Sequence, residues 1–316
     1  MYAHTYHTYR RRLVMFALLV LFGSGGCAYQ LGNLENPQAG FNFIPQDMEI
    51  SMGWEAANEI EAEEEIFNNA QLQYYISELG QRLVQYSRRP DIGYEFKVIA
   101  SDEINAFALP GGFIYVNSAL IEEADTEAEL AGVLAHEIGH VAARHGAKRM
   151  SKLIALQVGF ALFWGLSDQD QEDEWKLLLA DAIATGFLLK NSRDDERQAD
   201  DLGTETLYRA GYDPIALAYF FDKLRKEHDP GAIETFLSTH PSPGERINNV
   251  QALIATFPPN PSAVTDTAQF QDMKYIVSGK APAAFPSGMG QGMRQQTWQS
   301  GPTREVSGEI GTPRRQ

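Results

Sequence analysis

Apolar positions recur along this chain with two different periods, and the change from one to the other outlines its architecture. Leu72, Tyr75, Ile76, Leu79 and Leu83 fall at helical spacing and predict an amphipathic helix over Leu72 to Tyr86. The strongly acidic stretch Glu55 to Glu65 before it also reads as helix. Tyr94 to Ile99 alternates with period two, as a half-buried strand does. Asn105 to Val116 then reads as strand, Gly-Gly turn and strand. A long helix is predicted from Thr126 to Arg144, capped by Asp125 or Thr126 and ended near Gly146. Three more helices are expected: Asp195 to Arg209 ending at Gly211, Pro214 to Glu227, and Gly244 to Thr256. The pattern predicts an α+β domain, mainly helical, with a small sheet.

Elsewhere the periodicity fades. Residues 28–50 carry Gly, Pro, Asn and Gln without a repeat, so 27–50 is expected to be a linker and 51–278 the folded domain. Beyond Phe257, Pro, Gly, Gln and Ser dominate apart from a short piece around Phe270 to Val277, and 279–316 reads as a disordered tail. Two apolar segments, Leu153 to Leu166 and Leu177 to Leu189, flank an acidic loop. Each is shorter than the roughly 20 residues that span a bilayer. They read as a packed αα-hairpin, or as a lid or membrane-touching hairpin. No internal repeat of solenoid length is present.

Charge narrows the partners. With 26 Lys and Arg against 42 Asp and Glu, the formal charge is −16, which repels phosphate backbones and argues against nucleic acid. Residues 1–26 run against this trend. Arg10, Arg11 and Arg12 precede the apolar run Leu13 to Phe22 and a small-residue stretch, the three-part pattern of an export signal. Cys27, the only cysteine, follows at once. Its place suggests a lipid-modified N-terminal cysteine, as in bacterial lipoproteins, although Ser24 stands where such signals usually carry Leu; the alternative is a plain secreted chain. Either way the protein is expected outside the cytoplasm.

The chemistry centres on Ala-His-Glu-Ile-Gly-His-Val at 135–141. His136 and His140 lie about 40° apart around a helix, so their rings project side by side and can share one ion. Glu137 sits about 100° from His136, where it reaches a metal-bound water but not easily the metal. Zinc at such a site lowers the water's pKa toward about 7, and a glutamate there acts as base while water attacks a carbonyl. Ala131, Gly132, Ala135, Gly139, Ala142 and Ala143 let another element pack close. A third ligand is needed. His145, five residues after His140, would face elsewhere on a continuous helix. Glu196 is the better candidate, with Asp200 one turn on to hydrogen-bond a ligating histidine, or both belong to a solvated acidic helix start.

Three segments now act together: His-Glu-Ile-Gly-His-Val-Ala-Ala-Arg-His at 136–145, Ser-Arg-Asp-Asp-Glu-Arg-Gln-Ala-Asp at 192–200, and Ser-Thr-His-Pro-Ser-Pro-Gly-Glu-Arg-Ile at 238–247. In that order they resemble the zinc metallopeptidase family that includes the CAAX prenyl-protein protease, HtpX and the periplasmic lipoproteins BepA and LoiP. The resemblance runs from about residue 50 to 277 and implies a gluzincin-type endopeptidase domain holding one Zn2+. It implies His136, His140 and Glu196 as ligands, Asp200 as support, and Glu137 as catalytic base. It also places an edge strand beside the active site, with substrate bound near Ala108, Leu109, Pro110, Gly111 and Gly112. Read locally, that stretch is more simply an ordinary core hairpin. Misfolded or stalled envelope proteins are the implied substrates, and an outer-membrane anchor in the periplasm through Cys27 the implied location. A zinc-binding chaperone or assembly factor is the rival reading, against which the intact Glu137 argues.

His240 rides on a stiff turn beside Pro241 and Pro243. It is a surface histidine, a blocking ligand in the open metal position, or, with Arg246, a catalytic donor to a developing oxyanion. Arg246 has its own bland alternative, a structural ion pair with a carboxylate.

Overall fold

The computed structural model describes residues 32–164, 191–227, 234–240 and 246–279. Cys27, the export-signal pattern, the segment 165–190 and the tail 280–316 lie outside them, so the expectations placed there do too.

The first departure from expectation comes at the front. Residues 32–50, expected as linker, are laid onto the domain: a short helix α1 (Gly32–Glu35), an extended arm, and then α2 (Gln46–Glu63), which starts nine residues before the acidic stretch. Ile44 at 2% exposure packs with Met52, Ala147 and Met150. The face α2 buries consists of Met52, Gly53, Ala56, Ala57 and the charged Glu49. Small and ionic residues carry little hydrophobic contrast, which is why the period was invisible. Glu49 is buried against the fully buried Arg89, whose guanidinium donates to both its carboxylate oxygens at 3.0 and 2.9 Å.

The expected helix follows as α3 (Ala70–Val84), with Leu72, Tyr75, Ile76, Leu79 and Leu83 inside and Asn69 accepting from the Leu72 N–H at its start. The sheet is β1 (Glu95–Ile99), β2 (Ala106–Ala108) and β3 (Phe113–Asn117) in the order β1-β3-β2. β1 runs parallel to β3, with Glu95 opposite Phe113. β2 runs antiparallel to it, with Phe107 opposite Tyr115, and forms an edge. The connection Pro110–Gly112 turns through left-handed φ at Gly111 (79°) and Gly112 (107°), a region β-carbons avoid.

A one-turn-and-a-half helix α4 (Ser118–Glu123) leads to α5 (Glu127–Ala142), which Thr126 caps and which is buried along nearly its whole length. Helix α5 stops sooner than expected. Arg144 takes φ 58°, and a new helix α6 (His145–Trp164) sets off at once in another direction. Across α5 lies α7 (Arg193–Arg209), begun by a reciprocal cap between Ser192 and Asp195. The two helices approach until a β-carbon on Gly139 would stand 2.9 Å from the Ala199 carbonyl and one on Gly203 3.0 Å from the His136 nitrogen. α8 (Ala216–Glu227), α9 (Glu234–Thr239), α10 (Arg246–Ile254) and α11 (Ala268–Ser278) complete the described fold.

The start of α5 is tied down by Glu127. This buried carboxylate accepts from Tyr75 at 3.1 Å, from Tyr212 at 2.5 Å and from the Thr267 hydroxyl ahead of α11. Phe270 and Met273 of α11 sink into the main core, so the short apolar piece near the end is a docked helix. Among the described residues no helix is long and apolar enough to cross a membrane.

If the arm and α2 are integral, crowding their contact should destabilise the whole. A β-carbon at Gly53 would fall 1.8 Å from the Pro110 carbonyl oxygen. Gly53→Ala is therefore expected to lower stability by about 1–3 kcal/mol, as overpacked cores do, measured by urea denaturation. An unchanged midpoint would mean that α2 does not seat on the Pro110 turn.

Candidate metal centre

His136, His140, Glu196 and His240 each offer one ligating atom, and these atoms lie within 4.8 Å of one another in the buried angle between α5, α7 and the end of α9. The four-residue spacing on α5 sets the Nε2 atoms of His136 and His140 3.1 Å apart. Glu196 comes across from the first turn of α7. Its Oε2 stands 3.4 Å from His136 Nε2 and its Oε1 3.2 Å from His140 Nε2. His240 Nδ1 closes the group at 3.2 Å from Glu196 Oε1 and 3.3 Å from His136 Nε2.

Two of these rings are gripped from behind by atoms that only accept. His136 Nδ1 donates to Asp200 Oδ1 at 3.0 Å, and His240 Nε2 to the Ala106 carbonyl at 3.3 Å. The nitrogen turned inward is in each case the one whose lone pair a cation can use.

The electrostatics agree. Burial works against charge on both His136 and Glu196, yet their neighbours overrule it. Hydrogen bonds to Asp200 and Glu196 lift His136 to about 9, while His240, His136 and His140 hold Glu196 well below the usual carboxylate range. The pocket thus calls for positive charge at its centre, and without an ion it draws a proton onto His136. Three imidazole nitrogens and one carboxylate oxygen are a donor set suited to zinc.

Glu137 lies beside this group. Burial raises its pKa, and its Oε1 has no hydrogen-bond partner among the described residues, with His240 Nε2 3.5 Å away. It lines a cavity with His140, His240, Ala108, Leu109 and Pro110. A buried carboxylate oxygen aimed at open space is a base waiting for a proton donor.

Four expectations need correction. Gly111 and Gly112 do not line the cavity; they form the turn under α2, where a β-carbon would strike the backbone of Ile50 and Gly93. Only Ala108, Leu109 and Pro110 of the proposed substrate stretch reach the cavity. Arg246 has no donor aimed at a reacting group: Nε and Nη2 fork onto Asp200, the first at 2.7 Å, and Nη1 lies 3.4 Å from Glu196 Oε2. Its planar guanidinium is instead a brace that holds Asp200, and through it His136. His240 is no surface histidine, being 1% exposed. His145, expected to face away, touches the site, its Nδ1 only 2.8 Å from His140 Nδ1. The left-handed Arg144 breaks the helix and swings His145 back, and burial pushes its pKa down to about 4, leaving it neutral.

Sequence reasoning passed over Asn191 and Gln198 altogether. Asn191 Nδ2 lies 3.3 Å from His140 Nε2, and Gln198 Oε1 2.9 Å from His145 Nε2. The Ser192–Asp195 cap could have pointed to Asn191, since it fixes that residue one turn ahead of Glu196.

Fold and site together define a helical metallopeptidase domain with a His-Glu-x-x-His helix and a carboxylate ligand from a later helix. The model of peptidase family M48 matches residues 70–254, and the chain belongs to that family. It is 31% identical over 238 residues to the beta-barrel assembly-enhancing protease of Yersinia pestis, a match covering 73% of this chain and 49% of that protein. The protein of the same name in Escherichia coli K12 is 32% identical over 222 residues, 63% of this chain and 42% of the relative. The mitochondrial metalloendopeptidase OMA1 of Schizosaccharomyces pombe is 30% identical over 245 residues, 73% and 70% of the two chains. This chain thus spans about half the length of its bacterial relatives.

The brace is open to a direct test. Arg246→Met should strand the buried Asp200 carboxylate and cost about 3–5 kcal/mol of stability, as breaking a buried ion pair does. Chemical denaturation measures it, and a loss below about 1 kcal/mol, typical of an exposed pair, would mean that the fork contributes little.

Proposed function

We propose that this protein is a zinc-dependent endopeptidase of the bacterial cell envelope that degrades misfolded or stalled envelope proteins. What carries the reading is the placement of Glu137: a buried carboxylate with an unpaired oxygen, facing the same cavity as His140 and His240 of the four-residue donor cluster. A purely structural metal site has no use for such a base.

His136, His140 and Glu196 hold the metal, and Asp200 and Arg246 fix the first of them. The ion supplies a Lewis acid that polarises a peptide carbonyl and makes a neighbouring water acidic. Glu137 takes the proton of the attacking water and passes it to the departing amine. The substrate backbone lies extended along the outer edge of β2, where Ala108, Leu109 and Pro110 border the cavity. His240 would offer Nδ1 as a further donor to the ion and so hold the enzyme at rest. Its Nε2 hydrogen is occupied by the Ala106 carbonyl, which favours a ligand over an oxyanion donor.

The envelope setting rests on weaker support, namely the names of the bacterial relatives and the pattern of Arg10 to Cys27. By this reading the chain is exported to the periplasm and held at the outer membrane through a lipid on Cys27. A chaperone or assembly factor that binds zinc without cleaving is the alternative.

Glu137→Gln separates the two. The variant should keep stoichiometric zinc and its melting temperature but hydrolyse casein about 10²–10⁴-fold more slowly. His136→Ala, His140→Ala and Glu196→Ala should instead lose zinc by elemental analysis. A zinc-loaded Glu137→Gln protein with ordinary turnover would reject the peptidase reading.

His240→Ala tests the resting state, and the sign of the effect decides it. Removing a blocking ligand should raise basal casein cleavage while zinc stays bound. A fall of about 10²–10³ in a zinc-replete variant would make His240 a catalytic donor.

A further inference from the structure

We propose that His145 and Gln198 are positioning residues of the metal centre, the middle of a one-way hydrogen-bond relay that begins at the Pro37 carbonyl and fixes the tautomer of His140. The proposal rests on the reading of His140 as a ligand through Nε2.

The direction of the relay follows from atoms that have only one role. A backbone carbonyl accepts and never donates. The Pro37 carbonyl receives the Gln198 amide nitrogen at 3.2 Å, which turns the other end of that carboxamide, Oε1, toward His145 Nε2 at 2.9 Å. An amide oxygen also only accepts, so the His145 hydrogen is on Nε2. Asp195 Oδ1, a second acceptor 3.4 Å from the same nitrogen, agrees. As an Nε2 ligand His140 has its one ring hydrogen on Nδ1, so the His145 Nδ1 that meets it must be bare to accept it. It faces His140 Nδ1 at 2.8 Å, and two bare nitrogens do not sit that close. The His140 Nε2 lone pair faces Glu196 Oε1 at 3.2 Å and His136 Nε2 at 3.1 Å, and since a carboxylate oxygen also only accepts, the arrangement calls for a cation between them.

A second chain reaches the same result from the opposite side. Arg149 has donors only, and it donates to Asn191 Oδ1. The Asn191 amide nitrogen is thereby turned to His140 Nε2 at 3.3 Å, a donor meeting a lone pair. Reversing any member would set two hydrogens or two lone pairs against each other.

The usual partner behind a ligating histidine is a carboxylate or carbonyl, and His136 has one in Asp200. His140 has a histidine there instead, and that histidine takes its orientation from the N-terminal arm. The arm thus belongs to the outer shell of the metal site although Pro37 lies 99 residues ahead of His136 in the chain. The break at Arg144 makes this possible, because on a continuous helix His145 would lie about 140° away from His140.

Long-range ¹H–¹⁵N NMR of the histidine rings in the zinc-loaded full-length chain tests the relay without any activity assay. His145 should show its hydrogen on Nε2 and a bare Nδ1. Chelator competition then reads zinc affinity. Gln198→Met, which keeps the length and removes the acceptor, should release the His145 tautomer and weaken zinc about 10–100-fold. Gln198→Glu, which keeps an acceptor toward His145, should hold the tautomer and restore most of the affinity. A His145 hydrogen on Nδ1, or wild-type zinc affinity in Gln198→Met, would overturn the relay. If Gln198→Met does not fold, the wild-type spectrum and Gln198→Glu still decide it. Undiminished zinc in His140→Ala would instead reject the ligand reading, while leaving the His145 tautomer as an independent result.

Discussion

The contact between α5 and α7 governs the rest of the molecule. Two helices ordinarily pack with their axes 8–10 Å apart, the distance set by the side chains between them. Here Gly139 meets the backbone of Ala199, and Gly203 meets that of His136, so hardly any side chain intervenes. That approach brings the first turn of α7 against the middle of α5 and lets Glu196 reach both histidines. A larger residue at either glycine would push Glu196 back by the width of a methyl group, and no longer side chain is available there to recover the distance.

The same closeness has an electrostatic cost, which the fold meets by pairing. Glu196 and Asp200 are carried into the core on α7 and need compensating charge there. Arg246 answers for Asp200, and the histidines answer for Glu196. At the C-terminal end of α5 the arrangement recurs with the roles exchanged. Arg89 donates at 3.2 Å to the Val141 carbonyl, which also accepts from the Arg144 N–H at 3.0 Å, and Glu49 neutralises the guanidinium. Arg144 joins the same carboxylate at 2.8 Å and reaches the Ile44 carbonyl. The arm, the helix break and the end of the metal helix are therefore held by one buried ionic group.

What the sequence disclosed follows from these forces. Helices with a clear apolar stripe, such as the one bearing Leu72 to Leu83, were legible because burial alone specifies them. The His136–Glu137–His140 spacing was legible because it is local geometry. Glu196 and Asp200 were reached by resemblance, since on spacing alone they could equally have formed a solvated helix start. Three things escaped. The arm and the first half of α2 escaped because Gly, Ala and a paired Glu49 bury a face without looking apolar. His145 escaped because its direction depends on a single left-handed residue, Arg144, whose conformation nothing nearby announces. For Arg246 an ion pair was among the readings, but its partner Asp200 escaped because both look like surface charges until the fold encloses them.

Glu127 bears on where this domain ends. The part shared with the family runs out at residue 254, before the segment that supplies Thr267, Phe270 and Met273. Yet Thr267 donates to the carboxylate that anchors the start of the metal-bearing helix, and Asp266 accepts from the Glu127 backbone N–H at 3.1 Å. The cooperative unit, the stretch that melts or survives together, is therefore longer than the stretch the family model covers. Its last helix acts as a keystone: peripheral in the chain, but seated where hydrogen bonds from two other segments converge with its own on one buried carboxylate.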